Sequence, residues 1–283
     1  MTTRRDFLRT SVATLAALAA SKVFAAAPTH RIGVQLYTVR DQAEKDLPGV
    51  LKQIAEIGYK EVEPYWNVYS HPAPELRKMV EDLGMSIPSG HFDYDGFESK
   101  LDYAHQLGVT YMVCPMLPQN MWTSLDGFQK AADQFNKWGQ IVRQRGMKFA
   151  FHNHNYEFRD FGGTTGFQAL LVGTDPKLVY LEMDCYWITQ AGRDPVKMLH
   201  QHGDRIRLLH LKDRKPGFPP SHQLDEAAFH FTEVGSGTLD WKDILATAAK
   251  TGVEHYFVER DSGDLPAMES LRISYRNLQK IMA

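Results

Sequence analysis

The chain has 283 residues, of which 43% are hydrophobic and 23% charged, and its formal net charge is -2. With no basic surplus to hold a polyanion, nucleic acid is excluded as an expected partner, and the about 255 residues that follow the leader suit a single α/β barrel. The only two cysteines, Cys114 and Cys185, sit at the ends of apolar runs far apart in sequence and are read as buried thiols.

Residues 1–27 open with Arg4-Arg5-Asp6-Phe7-Leu8 and continue through an Ala/Leu run to Ala25, Ala26 and Ala27. The apolar stretch, roughly a dozen residues, is too short to cross a bilayer. The segment resembles a twin-arginine export signal, cut after Ala25 or Ala27. No cysteine follows the run, so no lipid or other stable membrane anchor is expected. The resemblance implies a periplasmic or secreted protein carried folded by the twin-arginine export machinery, with any cofactor inserted beforehand.

From residue 30 to 283 short β-branched or aromatic runs alternate with longer amphipathic ones, the pattern of repeated βα units around a parallel sheet. Eight strands are expected: Ile32–Leu36, Glu61–Glu63, Ser86–His91, Tyr111–Cys114, Lys148–His152, Leu178–Met183, Ile206–Leu211 and Tyr256–Glu259. Between them apolar residues recur three or four apart, as in Val50, Leu51, Ile54, Ile57 and in Leu76, Met79, Val80, Leu83. Gly58, Gly84, Gly108, Gly146 and Gly252 each precede a strand, where a left-handed residue ends a helix. The expected fold is one (β/α)8 TIM barrel; no G-x-G-x-x-G follows the first strand, which disfavours an open dinucleotide-binding sheet. Two longer connections, 184–197 and 213–233, follow strand carboxyl ends, where barrel enzymes carry substrate loops.

Polar residues at those strand ends should converge on one mouth. The fifth strand ends in His152-Asn153-His154-Asn155-Tyr156-Glu157, the sixth in Glu182-Met183-Asp184, the seventh in His210-Leu211-Lys212-Asp213-Arg214 and the eighth in Glu259-Arg260-Asp261. Taken singly, Asp184 reads equally as a helix N-cap, His210 as a core histidine and Glu259 as a partner for a nearby cation. Taken together they place costly ionisable groups on consecutive strands, a cost that one shared divalent cation (Mn, Mg, Co or Zn) removes.

These motifs, with Ile32-Gly33-Val34-Gln35-Leu36-Tyr37, Gly58-Tyr59-Lys60-Glu61-Val62-Glu63 and Ser89-Gly90-His91, resemble the sugar phosphate isomerase/epimerase superfamily of xylose isomerase-like barrels. The resemblance implies metal ligands Glu, Asp, His and Glu from strands five to eight. The last three map onto Asp184, His210 and Glu259. The first is replaced by His152 or supplied slightly later by Glu157, and Glu157 is taken as the fourth ligand. Catalytic roles fall to Glu157 and Glu259, with His152 as the alternative base. His154, Trp187, Lys212, Arg214, Glu63, His91 and Tyr37 are the substrate-binding candidates, Trp187 as a stacking surface where the epimerases have a histidine.

The implied activity is metal-dependent isomerisation or epimerisation of a small carbohydrate through proton abstraction beside a carbonyl. The alternatives are a lyase or dehydratase acting on a 3-keto-sugar or glycoside by β-elimination, and a non-catalytic sugar-binding protein. The sequence leaves a homo-oligomer open.

Overall fold

The protein, described by a computed structural model over residues 31–225 and 229–283, forms one parallel eight-stranded sheet rolled almost into a closed barrel. The strands are β1 (Ile32–Gln35), β2 (Glu61–Glu63), β3 (Ser89–His91), β4 (Tyr111–Cys114), β5 (Lys148–His152), β6 (Val179–Asp184), β7 (Ile206–Leu211) and, after a small β8–β9 hairpin (Asp213–Arg214 with Phe231–Thr232), β10 (His255–Val258). Their order round the sheet is β2-β1-β10-β7-β6-β5-β4-β3. The seam between β2 and β3 is held by an isolated bridge, Glu61 with Ser86, and by the His91 N–H donating to the Pro64 carbonyl at 2.9 Å. Pro88 has no N–H to give, which confines the third strand to Ser89–His91 rather than the expected Ser86–His91. The other boundaries move by at most one residue, because Leu36 starts a 3-10 turn and Glu259 lies just past its strand.

Helices α1 (Arg40–Ile57), α2 (Ala73–Glu81), α3 (Leu101–Leu107), α4 (Leu125–Gln144), α5 (Gly166–Gly173), α6 (Cys185–Gln190), α7 (Pro195–His202), α8 (Trp241–Thr251) and α9 (Ala267–Met282) follow the strands. Each turns an apolar stripe inward: Leu47, Val50, Leu51 and Ile54 of α1 and Leu76 and Val80 of α2 are buried against the sheet. All five pre-strand glycines hold positive φ, from 71° at Gly84 to 121° at Gly58, as the helix-to-strand turn requires. The expected loop 184–197 is not irregular, since Asp184 caps α6 directly at the end of β6.

Strand alternation sorts the side chains into layers inside the barrel. Tyr111, Val113, Ala150, Leu208 and Phe257 fill the middle. The Phe257 ring lies over Gly33, its register partner on the neighbouring β1; a Cβ at Gly33 would come within 2.5 Å of that ring. Two residues further along each strand, on the same face, the apolar layer gives way to Glu63, His91, His152, Glu182, His210 and Glu259, all buried. Cys114 and Cys185 are free and buried, as expected. The export segment lies outside the described residues. Among the described residues no helix is long and apolar enough to cross a membrane.

Candidate active site

Asp184 has two roles at once. Its Oδ1 accepts the Trp187 N–H at 2.9 Å and starts α6, while its buried Oδ2 turns into the barrel and makes no hydrogen bond. Asn153 holds the strand end in place, its Oδ1 accepting the Asp184 N–H at 3.2 Å. On the neighbouring strand, His210 of β7 is the register partner of Asp184, presents Nδ1 to Glu259 Oε2 at 2.8 Å and stands 4.0 Å from Asp184 Oδ2. Asp184, His210 and Glu259 therefore converge, as the strand-end pattern predicts, and His152 joins them with Nε2 3.9 Å from Asp184 Oδ2.

Glu157 does not join. Both its carboxylate oxygens accept the His154 N–H, at 2.9 and 3.1 Å, which folds the residues after β5 into a tight turn away from the cluster. Burial drives its pKa up to about 8, against the pull of that backbone N–H. Five residues beyond His152 the chain has already left the extended strand, so Glu157 no longer shares the strand's inward face. Arg214 also turns elsewhere. Its guanidinium donates to Gln190 Oε1 at 2.7 Å and to the carbonyls of Phe218 and Pro219, fastening the loop after β7 instead of facing the cavity.

Beneath the cluster lies a second layer that only the fold brings together. Glu182 Oε2 lies 2.7 Å from His91 Nε2, 3.0 Å from His152 Nδ1 and 3.2 Å from His210 Nε2. Glu63 Oε2 takes His210 Nε2 at 2.7 Å and Gln35 Nε2 at 2.9 Å, and its Oε1 accepts from the Ser89 hydroxyl. Burial alone would raise Glu63, but His91 and His210 outweigh it and hold the carboxyl down at about 2. Glu182, Asp261, Gln35 and Ser89 were not singled out in sequence. The parity rule was sufficient to find one of them: Glu182 is two residues before Asp184 on the same strand, so it shares its neighbour's face.

Lys212, one strand step past His210, is 1% exposed, and its ammonium lies 2.7 Å from Glu259, 2.8 Å from Asp261 and 3.2 Å from Asp184. It also stands 5.6 Å from the centre of the Trp187 ring. One ammonium facing three carboxylates leaves a surplus of negative charge in a buried place. His210 answers to the same surplus: burial would lower its pKa, yet Glu182 and Glu259 hold it well above the usual imidazole value. His152 moves the other way, pushed down by burial and by the neighbouring imidazoles, which keeps the ring neutral.

A cavity of about 650 Å³ opens above these groups, with His152, Lys212 and Glu259 in its floor and Tyr37, Trp66, Trp187 and Phe229 among its walls. His154 and His91 also face it, whereas Glu63 lies below it. The His154 Nδ1 is buried without a hydrogen-bond partner, and its ring stacks on Tyr156 at 5.8 Å.

Two buried donor groups that share His210 could hold a divalent cation, Asp184, His210 and Glu259 at the mouth and His91, His152, Glu182 and His210 beneath it, and the mixed oxygen and nitrogen donors of the first, with His152 Nε2 3.9 Å from Asp184 Oδ2, fit one such ion. The residue standing in the strand-five position is then the imidazole of His152, not Glu157.

Similarity to known proteins agrees with this architecture. An inosose dehydratase of Geobacillus kaustophilus is 28% identical over 255 residues, covering 71% of this chain and 78% of the relative. An inosose dehydratase of Clostridium botulinum is 23% identical over 269 residues, covering 84% and 89%. Among solved structures, a sugar phosphate isomerase/epimerase of Parabacteroides distasonis superposes with a TM-score of 0.74 at 25% identity, covering 90% of this chain and 95% of that one. The IOLI protein, solved with a bound zinc atom, shares the fold with a TM-score of 0.70 at 17% identity over 89% of this chain and 97% of its own. Residues 51–279 match the family described as xylose isomerase-like TIM barrel, and the chain, with its eight parallel strands and polar carboxyl-terminal mouth, belongs to that family.

Proposed function

We propose that the protein is a divalent-metal-dependent carbohydrate lyase that removes water, or another β-substituent, from a keto-sugar. The observation that carries this reading is the Lys212 ammonium seated among Asp184, Glu259 and Asp261 on the floor of a cavity large enough for a sugar. When bound by Asp184, His210, Glu259 and His152, the cation would polarise a carbonyl and its neighbouring hydroxyl and so lower the cost of charge on those oxygens.

The remaining groups divide the work of an elimination. His154 lines the cavity, and burial together with the Lys212 ammonium holds its pKa down at about 3, which keeps the imidazole neutral and able to take the proton from the carbon beside the carbonyl. The electron pair left behind forms the new double bond as the bond from the β-carbon to its hydroxyl breaks, and the hydroxyl leaves as water by accepting the proton that His154 took up. Lys212 holds positive charge beside the oxygen that gains electrons, in a site walled by Trp187 and Phe229, where water does not screen it. The two inosose dehydratases support elimination over simple isomerisation.

Isomerisation or epimerisation shares the first proton transfer and remains the second reading, favoured by the likeness to the Parabacteroides isomerase/epimerase. Proton NMR of keto-inositols and 3-keto-glucosides in deuterated water separates the two. Elimination removes a hydroxyl-bearing carbon signal and creates a conjugated ketone, whereas epimerisation exchanges deuterium into an intact ring. Turnover without loss of a substituent would overturn the lyase reading. Export in the folded, metal-loaded state belongs to the same proposal; retention of the full chain in the cytoplasm of cells lacking twin-arginine transport is its expected result.

A further inference from the structure

The cavity is larger than one sugar ring needs. At about 650 Å³ it lies in the range of pockets that bury a drug-sized ligand, on the order of 300–1,000 Å³. The surplus does not lie over the charged floor alone. It extends to a wall made by Tyr37, in the 3-10 turn after β1, and Trp66, in the 3-10 turn after β2.

Trp66 is 39% exposed, one of the few large apolar side chains left open to solvent among the described residues. It is not loose. The Tyr65 ring meets it edge-on at 5.3 Å, and the Tyr37 ring lies 6.0 Å away. The next residue, Asn67, is tied to α1 by a 2.6 Å hydrogen bond from Nδ2 to Glu44. Tyr37 is itself fixed by the Arg40 guanidinium, 4.3 Å from its ring centre, and Arg40 donates to the carbonyls of Tyr37 and Asp261. A rigid, half-open indole costs solvation and serves nothing in the core. Placed on a cavity wall beside polar Arg40 and Asp93, it offers a flat apolar face with hydrogen-bonding groups at its edge, the surface that suits a pyranose ring.

We infer that Trp66 and Tyr37 form a second subsite, which holds the aglycone or second sugar ring of a glycoside while the first ring lies over Lys212 and the metal-binding residues. The inference rests on the proposed carbohydrate reading and narrows its substrate class from free sugars to glycosides of at least two rings.

The test separates binding from turnover. Calorimetry on the metal-loaded full chain compares cellobiose with methyl glucoside, and it is repeated with Trp66→Ala and Trp66→Phe. The expected result is about tenfold tighter binding of cellobiose by the wild-type protein, a loss of that advantage in Trp66→Ala and its substantial recovery in Trp66→Phe, since one stacked ring contributes a factor of that order. Equal affinity for the two sugars, an undiminished cellobiose advantage in Trp66→Ala, or no measurable binding of either sugar overturns the subsite. Parallel NMR assays on the 3-keto forms of both sugars report on the reaction alone. If cellobiose binds through Trp66 while no keto-sugar turns over, the subsite stands and the lyase reading falls.

Discussion

Nδ1 of His152 lies 3.0 Å from Oε2 of Glu182, a carboxylate 0% exposed at the centre of the barrel. That contact turns the other ring nitrogen, Nε2, toward Asp184 at 3.9 Å, the arrangement by which an outer carboxylate orients a metal-binding imidazole. Glu182→Gln keeps the shape of the side chain and removes the charge. It is expected to weaken divalent-cation affinity about 10–100-fold with little change in helix content, as measured by competition with a chromogenic chelator. An unchanged affinity would mean that His152 is oriented by packing alone and that Glu182 serves another purpose.

Removing the cation and removing its ligands should have the same functional effect. Dialysis against a chelator is expected to abolish turnover, and addition of Mn²⁺ or Zn²⁺ to restore it. An Asp184→Ala, His210→Ala double variant should fold, judged by circular dichroism, yet carry less than a tenth of the wild-type metal by elemental analysis. A double variant with full metal content would place the ion on the deeper His91, His152 and Glu182 side chains, the part of the other donor group that survives the loss of His210.

How far the sequence foretold this site depends on distance from a strand. Asp184, His210 and Glu259 are legible because each ends or directly follows a strand whose alternation fixes its face, and the helix-glycine-strand rhythm sets the order of those strands. Glu157 misleads because spacing gives no sign that the chain turns after His154, and only the backbone N–H of His154 shows where the carboxylate goes. Arg214 is misread for the same reason, since the carbonyls that claim it belong to a loop whose path no periodicity encodes. Glu182 was within reach of the parity rule, but its three imidazole partners come from β3, β5 and β7, and their convergence is a property of the closed barrel.

Glu157 makes stability depend on pH. Its folded pKa of about 8 is raised above the ordinary 4.5, so the folded state binds the proton more tightly than the unfolded chain. That contribution is fully present below about pH 4.5 and is lost as pH rises through 8. Glu157→Gln mimics the protonated acid and should flatten this limb. Urea melts are expected to show near-equal stability of variant and wild type at pH 5, and a variant more stable by a few kcal/mol at pH 9. Parallel pH profiles would show that the carboxyl titrates normally.

The largest stability effect is expected at Asp213, beside Lys212. Its Oδ2 accepts from the N–H groups of Gly235 and Gly237 at 2.9 and 3.1 Å and from the Trp241 indole at 2.7 Å, while Oδ1 accepts from Arg214 and Leu239 at 2.7 and 3.3 Å. A single buried carboxylate thus collects the turn that follows β9 and the start of α8 around the end of β7. Asp213→Ala strands these donors, and the expected loss is about 3–5 kcal/mol in chemical denaturation, near that of breaking a buried charged network. Asp213→Asn has one acceptor oxygen left and should lose less. Because Lys212 is carried on the same two-residue step, the surviving folded fraction of Asp213→Asn should show a lower kcat with metal content unchanged. A kcat equal to wild type would mean that Glu259 and Asp261 hold the Lys212 ammonium without help from the turn.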